Sequence, residues 1–189
     1  MPRWLEDAEN GLTFEFRPLL SDLYADLVHL DKRIENLDQH IVLQVKADPV
    51  ACKLLELRGV GPLTASALAG ALGDGRSFTK GRDFAASLGL TPRQHSTGGK
   101  PRLLGISKRG DGYLRKLLVH GARAVIRHAT HRDDGLSQWI NGMVARKHVN
   151  VACVALANKT ARIAWAVVHG EKSYDPRRAA GAQAKVVPS

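Results

Sequence analysis

At 189 residues and 20.5 kDa the chain has room for one medium domain and a peripheral element, which excludes two full-sized domains. Its formal net charge of +10 points to a polyanionic partner, because clustered Lys and Arg gain free energy by releasing counterions from phosphates. Aromatic residues are scarce and the apolar ones are mainly Ala, Leu and Val, a mixture that suits helices better than sheets.

Charge is unevenly placed. Residues 1–48 hold ten Asp/Glu and five Lys/Arg, so the basic surplus belongs to the rest of the chain and the amino-terminal stretch is not the nucleic-acid surface. The start, Met1 to Asp7, has neither a basic n-region nor an apolar h-region, and the apolar run after Val149 is broken by Asn158, Lys159 and Arg162. Neither a signal peptide nor a membrane span is expected. Cys52 and Cys153 are far apart and single, which fits a reduced, cytoplasmic protein with no zinc site or disulfide framework.

The first predicted element is a long helix from about Pro18 to Val45. Leu20, Leu23, Leu27, Leu30, Ile34, Leu37 and Ile41 alternate in steps of three and four, a heptad seam, while Asp22, Asp26, Asp31, Lys32, Arg33 and Glu35 fill the outer face. Such a helix either packs on its own domain or forms a coiled coil; we expect a homo-oligomer through residues 18–45. Asp48-Pro49 ends it.

Residues 50–72 read as two short apolar helices separated by Gly59-Val60-Gly61-Pro62, with Pro62 in the first turn of the second. The segment Leu57 to Ala65 looks like a helix-hairpin-helix. Glycines let the backbone turn sharply, so that amides at Gly59, Val60, Gly61 and Thr64 can aim at a phosphate oxygen without reading bases. A plain bend within an all-α core is the alternative. A further short helix is predicted from Lys80 to Leu88.

Between Gly89 and Gly112 the period is lost among Gly, Pro, Ser and Lys, which predicts a long basic loop or a loop with a small hairpin. From Thr91 to Arg132 there are ten Lys/Arg and a single acid, Asp111. Ser96 and Thr97 precede Gly98-Gly99 in this positive stretch, which would stabilise a developing alkoxide and a pentavalent phosphorus. The alternative is a flexible polar turn whose basic neighbours bind phosphate without chemistry. His95 adjoins Ser96 but is not assigned as its base, and Ser107 reads as the approach to a helix or its cap.

Helical period returns from Tyr113 to Ala129. Leu114, Leu118, Ala122, Val125 and Ala129 share one face, and Lys116, His120, Arg123 and Arg127 another. Helices over Leu136–His148 and Val149–His169 follow, the last with Val151, Val154, Ala155, Ile163 and Val167 as its core stripe. Residues 171–189 read as a disordered basic tail. His120, His128 and His131 lack neighbouring Cys, Asp or Glu to complete a metal shell, and paired carboxylates suited to two metals are missing from the basic half.

Taken together, these segments resemble the insertion-sequence one-ten family of transposases, relatives of the Piv DNA invertase. The resemblance rests on Arg58-Gly59-Val60-Gly61-Pro62, Phe84 to Arg93, His95-Ser96-Thr97-Gly98-Gly99-Lys100, Gly105 to Asp111, Tyr113-Leu114-Arg115 and His120 to Arg123, in the family's order. It implies a two-part recombinase: a RuvC-like domain with a DEDD magnesium site, a coiled coil, and a carboxy-terminal domain with a serine nucleophile, directed by a structured guide RNA. By that resemblance the hydroxyl before the glycines attacks a DNA phosphate; Ser96, as the less hindered alcohol, is the expected nucleophile and Thr97 the second choice. Arg93, Lys100, Arg102, Lys108, Arg109, Arg115, Lys116, Arg123 and Arg127 would hold nucleic acid. No RuvC-like domain precedes the coiled coil, so the metal-binding acids and their magnesium are expected outside this chain, which itself holds no cofactor. The fold expected is all-α: coiled-coil helix over 1–48, helical transposase domain over 49–170, tail beyond. Rival readings are a non-catalytic DNA- or RNA-binding module and an oligomerising inhibitor of the full-length transposase.

Overall fold

The computed structural model describes residues 3–7, 9–97, 100–170 and 174, and at 3, 4, 96, 97 and 100–103 the backbone only. The predicted tail, Tyr174 apart, lies outside the described residues. The chain divides into two units, Met1–Leu43 and Gln44–Ser189.

In the first unit a short helix, α1 (Arg3–Glu6), precedes the long α2 (Phe16–Ala47). Pro18 lies in the first turn of α2, where its missing amide hydrogen costs nothing. Arg17 ties this turn down: its guanidinium donates to the carbonyls of Leu5 (2.6 Å) and Asp7 (2.7 Å) and to Asn10 Oδ1 (3.0 Å). Leu23, Leu27, Leu30, Ile34 and Leu37 of the heptad seam are exposed.

The second unit is a helical bundle carrying one antiparallel ribbon. Asp48 caps α3 (Pro49–Leu55), accepting from the amide of Val50 at 2.8 Å. Then come α4 (Pro62–Leu72), α5 (Gly81–Ser87), strands β1 (Pro92–Thr97) and β2 (Lys100–Ile106), α6 (Gly112–Arg127), a 3-10 turn (Ala129–His131), α7 (Gly135–Val144) and α8 (Val149–His169). Side-chain acceptors start three of these helices, Asp111 for α6, Asp134 for α7 and His148 for α8, each accepting from a backbone amide of the first turn. The fold is therefore mostly helical as expected, and the aperiodic basic stretch takes its small-hairpin form.

The expected face of α6 is buried throughout: Leu114, Leu118, Ala122 and Val125 are covered, as is Ala129 just beyond. In α8 the expected stripe is displaced. Val151 is exposed and Val154, Ala155 and Ile163 are half-buried, whereas Ala152, Cys153, Leu156, Ala157, Thr160, Ala161, Ala164 and Val167 are buried. The cause is close packing: α8 meets α3, α4, α5, α6 and α7, and small residues let them approach. At Gly81 of α5, an added Cβ would lie 2.9 Å from the carbonyl oxygen of Arg162. By length and hydropathy α8 could cross a membrane, but it serves here as the central helix of the bundle.

Candidate nucleic-acid interface and hydroxyl-bearing ribbon

The ribbon grows out of a tightly fixed root. Leu88 and Leu90 are buried, and between them Gly89 adopts φ +68°, a left-handed conformation that L side chains rarely take. Past the end of the returning strand, Lys108 (φ 57°) and Gly110 (φ 84°) are also left-handed. Gly110 lies against the Ser87 carbonyl and Gly89 against that of Arg109, leaving no room for a Cβ at either. Backbone bonds close the root: Ser107 N to Thr91 O (2.8 Å), Lys108 N to Gly89 O (3.1 Å) and Asp111 N to Ser87 O (3.2 Å).

Two side chains reach in from the bundle. Arg115 of α6 donates to the Leu88 carbonyl at 2.8 Å, and Asn158 of α8 donates to the Leu90 carbonyl at 3.1 Å. The incoming arm of the ribbon is thereby held to two helices, α6 and α8. Asn158 escaped sequence reasoning, since a lone polar residue in an apolar helix carries no sign of its partner. Arg115, expected at phosphate, has one guanidinium nitrogen engaged on backbone instead. Ser107 lies on the approach to α6, whose cap is Asp111.

Beyond the root, β1 and β2 pair antiparallel with a register shift between Pro92 and Gln94. Ser96 pairs with Pro101, Thr97 with Lys100, and His95 with Arg102. Alternate residues of a strand share a face, so Thr97 falls on the face of His95, Lys100 and Arg102, and Ser96 on that of Gln94, Pro101 and Leu103. The side chains of Ser96, Thr97, Lys100 and Arg102 lie outside the described ones. Arg93, His95, Lys108 and Arg109 are exposed.

The helix-hairpin-helix is formed by α3 and α4. Gly59 (φ 83°) abuts Gly121 of α6, and each glycine occupies space that a Cβ on the other would need. Gly61 precedes α4 without a side-chain cap and in open surroundings, so this amino terminus is left to an external acceptor or to water. Val60 and Thr64, however, are buried, 7% exposed each. The Thr64 side chain thus faces the core, and any phosphate contact there falls to its backbone amide in the first turn of α4.

Lys116, His120, Arg123 and Arg127 form the exposed face of α6, where Arg123 reaches Asn150 Oδ1 at 3.4 Å. At about 100° per residue, this stripe lies roughly 100–160° round the helix from Gly121. The hairpin and the basic stripe therefore belong to different sides of α6 and do not merge into one patch there.

Arg58, beside the hairpin, is engaged internally. Its Nη1 lies 2.8 Å from both Asp134 carboxylate oxygens, and both terminal nitrogens lie 3.2 Å from Ser137 Oγ. Ser137 is fully buried and donates its hydroxyl to Asp134 at 3.0 Å. Burial alone would raise the Asp134 pKa, but the amide and hydroxyl of Ser137 and the charge of Arg58 outweigh it and hold the carboxyl below its ordinary value. This network joins the hairpin to α7. Lys159 of α8, which lines the same small cavity as Arg58, has its ammonium 4.7 Å from the centre of the Trp139 ring, and burial followed by the charge of Arg162 lowers its pKa. Among the described residues there is no group of three or more His, Cys, Asp or Glu that could hold a metal ion.

Residues 51–136, which include the hairpin, the ribbon and α6, match the model of the transposase IS116/IS110/IS902 family. The chain belongs to this family of transposases. A protein of Pseudomonas aeruginosa named "Probable family 20 transposase" is 51% identical over 84% of the chain and 47% of its own length. The transposase for insertion sequence element IS1328 of Yersinia enterocolitica is 47% identical over 79% of the chain and 45% of its own length. That for IS1111A of Coxiella burnetii is 40% identical over 92% and 48% respectively. The chain thus spans about half the length of the transposases it matches, and the family's matched segment contains both the clamped root and the adjacent hydroxyls.

Proposed function

We propose that the chain is the carboxy-terminal, nucleophile-bearing part of a DNA transposase. The observation that carries this reading is the ribbon itself: two adjacent alcohol residues in a strongly basic segment, on strands whose ends are fixed by three left-handed residues, Arg115 and Asn158. A rigid root holds a nucleophile in one orientation, and preorganisation is what lets positive charge stabilise a phosphoryl transition state.

In this reading Ser96 Oγ attacks a DNA phosphorus. The new O–P bond forms as the bond to a deoxyribose oxygen breaks, the serine proton leaves to water, and a DNA end later displaces the phosphoserine. Arg93, Lys100, Arg102, Lys108 and Arg109 neutralise phosphate around the ribbon, the amides at Gly59 and Gly61 position the duplex backbone, and Lys116, Arg123 and Arg127 hold a further strand or a guide RNA. Magnesium and its acids belong to the part of the relatives that this chain does not span. Residues 18–45 bring copies together, in the cytoplasm at the nucleoid.

A second reading is favoured by the strand register, which puts Thr97 and not Ser96 on the face of His95, Lys100 and Arg102. Ser96→Ala and Thr97→Ala decide between them, with the amino-terminal domain of a relative supplied in trans, magnesium, and a labelled nicked DNA that traps the covalent link. Loss of the denaturation-resistant adduct in Ser96→Ala alone supports Ser96, loss in Thr97→Ala alone supports Thr97, and an undiminished adduct in the double variant rejects a nucleophile on this ribbon.

A further inference from the structure

Within the first unit, α2 leaves the middle of its apolar seam, from Leu23 to Leu37, uncovered, while Leu20 and Ile41 are half-buried. The seam runs from Phe16 to Ile41 in steps of four and three, and its central members Leu27, Leu30 and Ile34 are more than half exposed. Charged residues flank it asymmetrically. Asp26 and Arg33 border one edge; Asp31 and Asp38 border the other, all of them exposed. Resting on the reading that residues 18–45 bring copies together, we propose that α2 pairs with α2 of a second copy in antiparallel orientation, with Leu27 beside the partner's Leu30 and Leu23 beside the partner's Ile34.

The charges select this arrangement. In a parallel pair each residue on the first edge meets the residue five places on in the other helix. Asp26 would then face Asp31 of the partner subunit, twice by symmetry, cancelling the attraction of Arg33 for the partner's Asp38. In an antiparallel pair like edges meet, so Asp26 faces the partner's Arg33 and Arg33 faces the partner's Asp26, two attractive contacts with no repulsive one on that edge. On the other edge the two Asp31 residues are offset by five positions, a rise of about 7.5 Å, at the solvent margin.

The register is selected too. The proposed one engages every seam position, Phe16 falling beside the partner's Ile41. Sliding by one heptad in one direction sets Arg33 against the partner's Arg33, and in the other sets Asp26 against the partner's Asp26. Opposed helix dipoles favour the same orientation. A second copy is thus the occupant that the helix's own charges fit.

Two measurements on the full chain test this. First, Leu23→Cys and Ile34→Cys are combined in a Cys52→Ser background, oxidised, and mapped by peptide mass spectrometry. The 23-to-34 cross-link between copies is expected to exceed the 23-to-23 and 34-to-34 links by tenfold or more on the order-of-magnitude scale of one favoured state. Dominant like-to-like links, or a mixture, overturn the orientation. Second, Asp26→Arg leaves the cysteine chemistry aside: it is expected to weaken self-association by about three- to tenfold, because it opposes Arg33, and Arg33→Asp in the same chain is expected to restore it. A parallel pair responds in the opposite sense, since Arg at position 26 would attract the partner's Asp31, and tighter association in Asp26→Arg would overturn the proposal. Sedimentation showing only monomer in the unsubstituted chain would instead remove the oligomerisation reading on which it rests.

Discussion

Two helices of this molecule carry nearly the same kind of sequence and meet opposite fates. Both α2 and α6 repeat apolar residues at helical spacing with charge on the far side, yet α6 buries Leu114, Leu118, Ala122 and Val125 while α2 leaves Leu23, Leu27, Leu30 and Ile34 in contact with solvent. The difference lies in what is available to cover them. The apolar face of α6 packs on α4 and α8, with Gly121 allowing the hairpin backbone at Gly59 to come against it. The exposed stripe of α2, from Leu23 to Leu37, meets no such partner among the described residues of its unit. Periodicity therefore states that a face is to be covered; the partner has to be found in the tertiary or quaternary structure.

The comparison is most sharply tested by truncating one seam residue from each helix. Leu118→Ala is expected to cost about 2–5 kcal/mol of stability, read as a fall in the denaturant midpoint, because it opens a cavity in a fixed surround. Leu27→Ala, in contrast, is expected to leave the midpoint of the second unit in place and to weaken self-association measured by light scattering. Equal losses of midpoint in the two variants would abolish the distinction drawn between these helices.

A smaller effect is expected where the bundle is joined by charge. Asp134→Asn weakens the link between Arg58 and α7, for which about 1 kcal/mol is reasonable for a partly exposed pair. Because the Asp134 pKa is lowered on folding from its ordinary 3.8, its contribution is fully present above that pH and is lost as the pH falls through the lower folded value. Chemical denaturation at pH 7 should thus separate the wild type from Asp134→Asn, and the two curves should converge in strong acid. A gap that persists there would mean that packing, not the carboxylate, makes the contribution.

The smallest change in stability is expected on the outward face of α6. Arg123→Ala should alter the midpoint by no more than about 0.5 kcal/mol, while lowering DNA affinity evenly across sequences and reducing the slope of log K against log salt by about one. An unchanged salt slope would take Arg123 out of the nucleic-acid surface.

Much of the helical frame was legible in the residues. The heptads marked α2, Asp48-Pro49 and Pro62 marked the boundaries of α3 and α4, and the two faces of α6 followed from period alone. The ribbon was half legible: loss of period and the Gly98-Gly99 pair allowed a hairpin, but strand pairing is a cross-chain bond pattern that no local propensity specifies. In α8 the larger aliphatic residues misled, because five helices converge on it and its alanine-rich side is the one they can approach.

Of the candidate site, residue types and basic charge were given by composition and order along the chain. Their roles were not. Arg115 looks like a phosphate ligand in a basic sequence, but the folded chain has it hold the Leu88 carbonyl, and nothing in the sequence told that Arg58 neutralises Asp134. A sequence determines which groups are present and which faces are apolar, since these follow from side-chain chemistry and backbone period. Which donor meets which acceptor, and which alcohol shares a face with the lysine and arginine, depends on distances between segments far apart in the chain, and only the assembled structure fixes those.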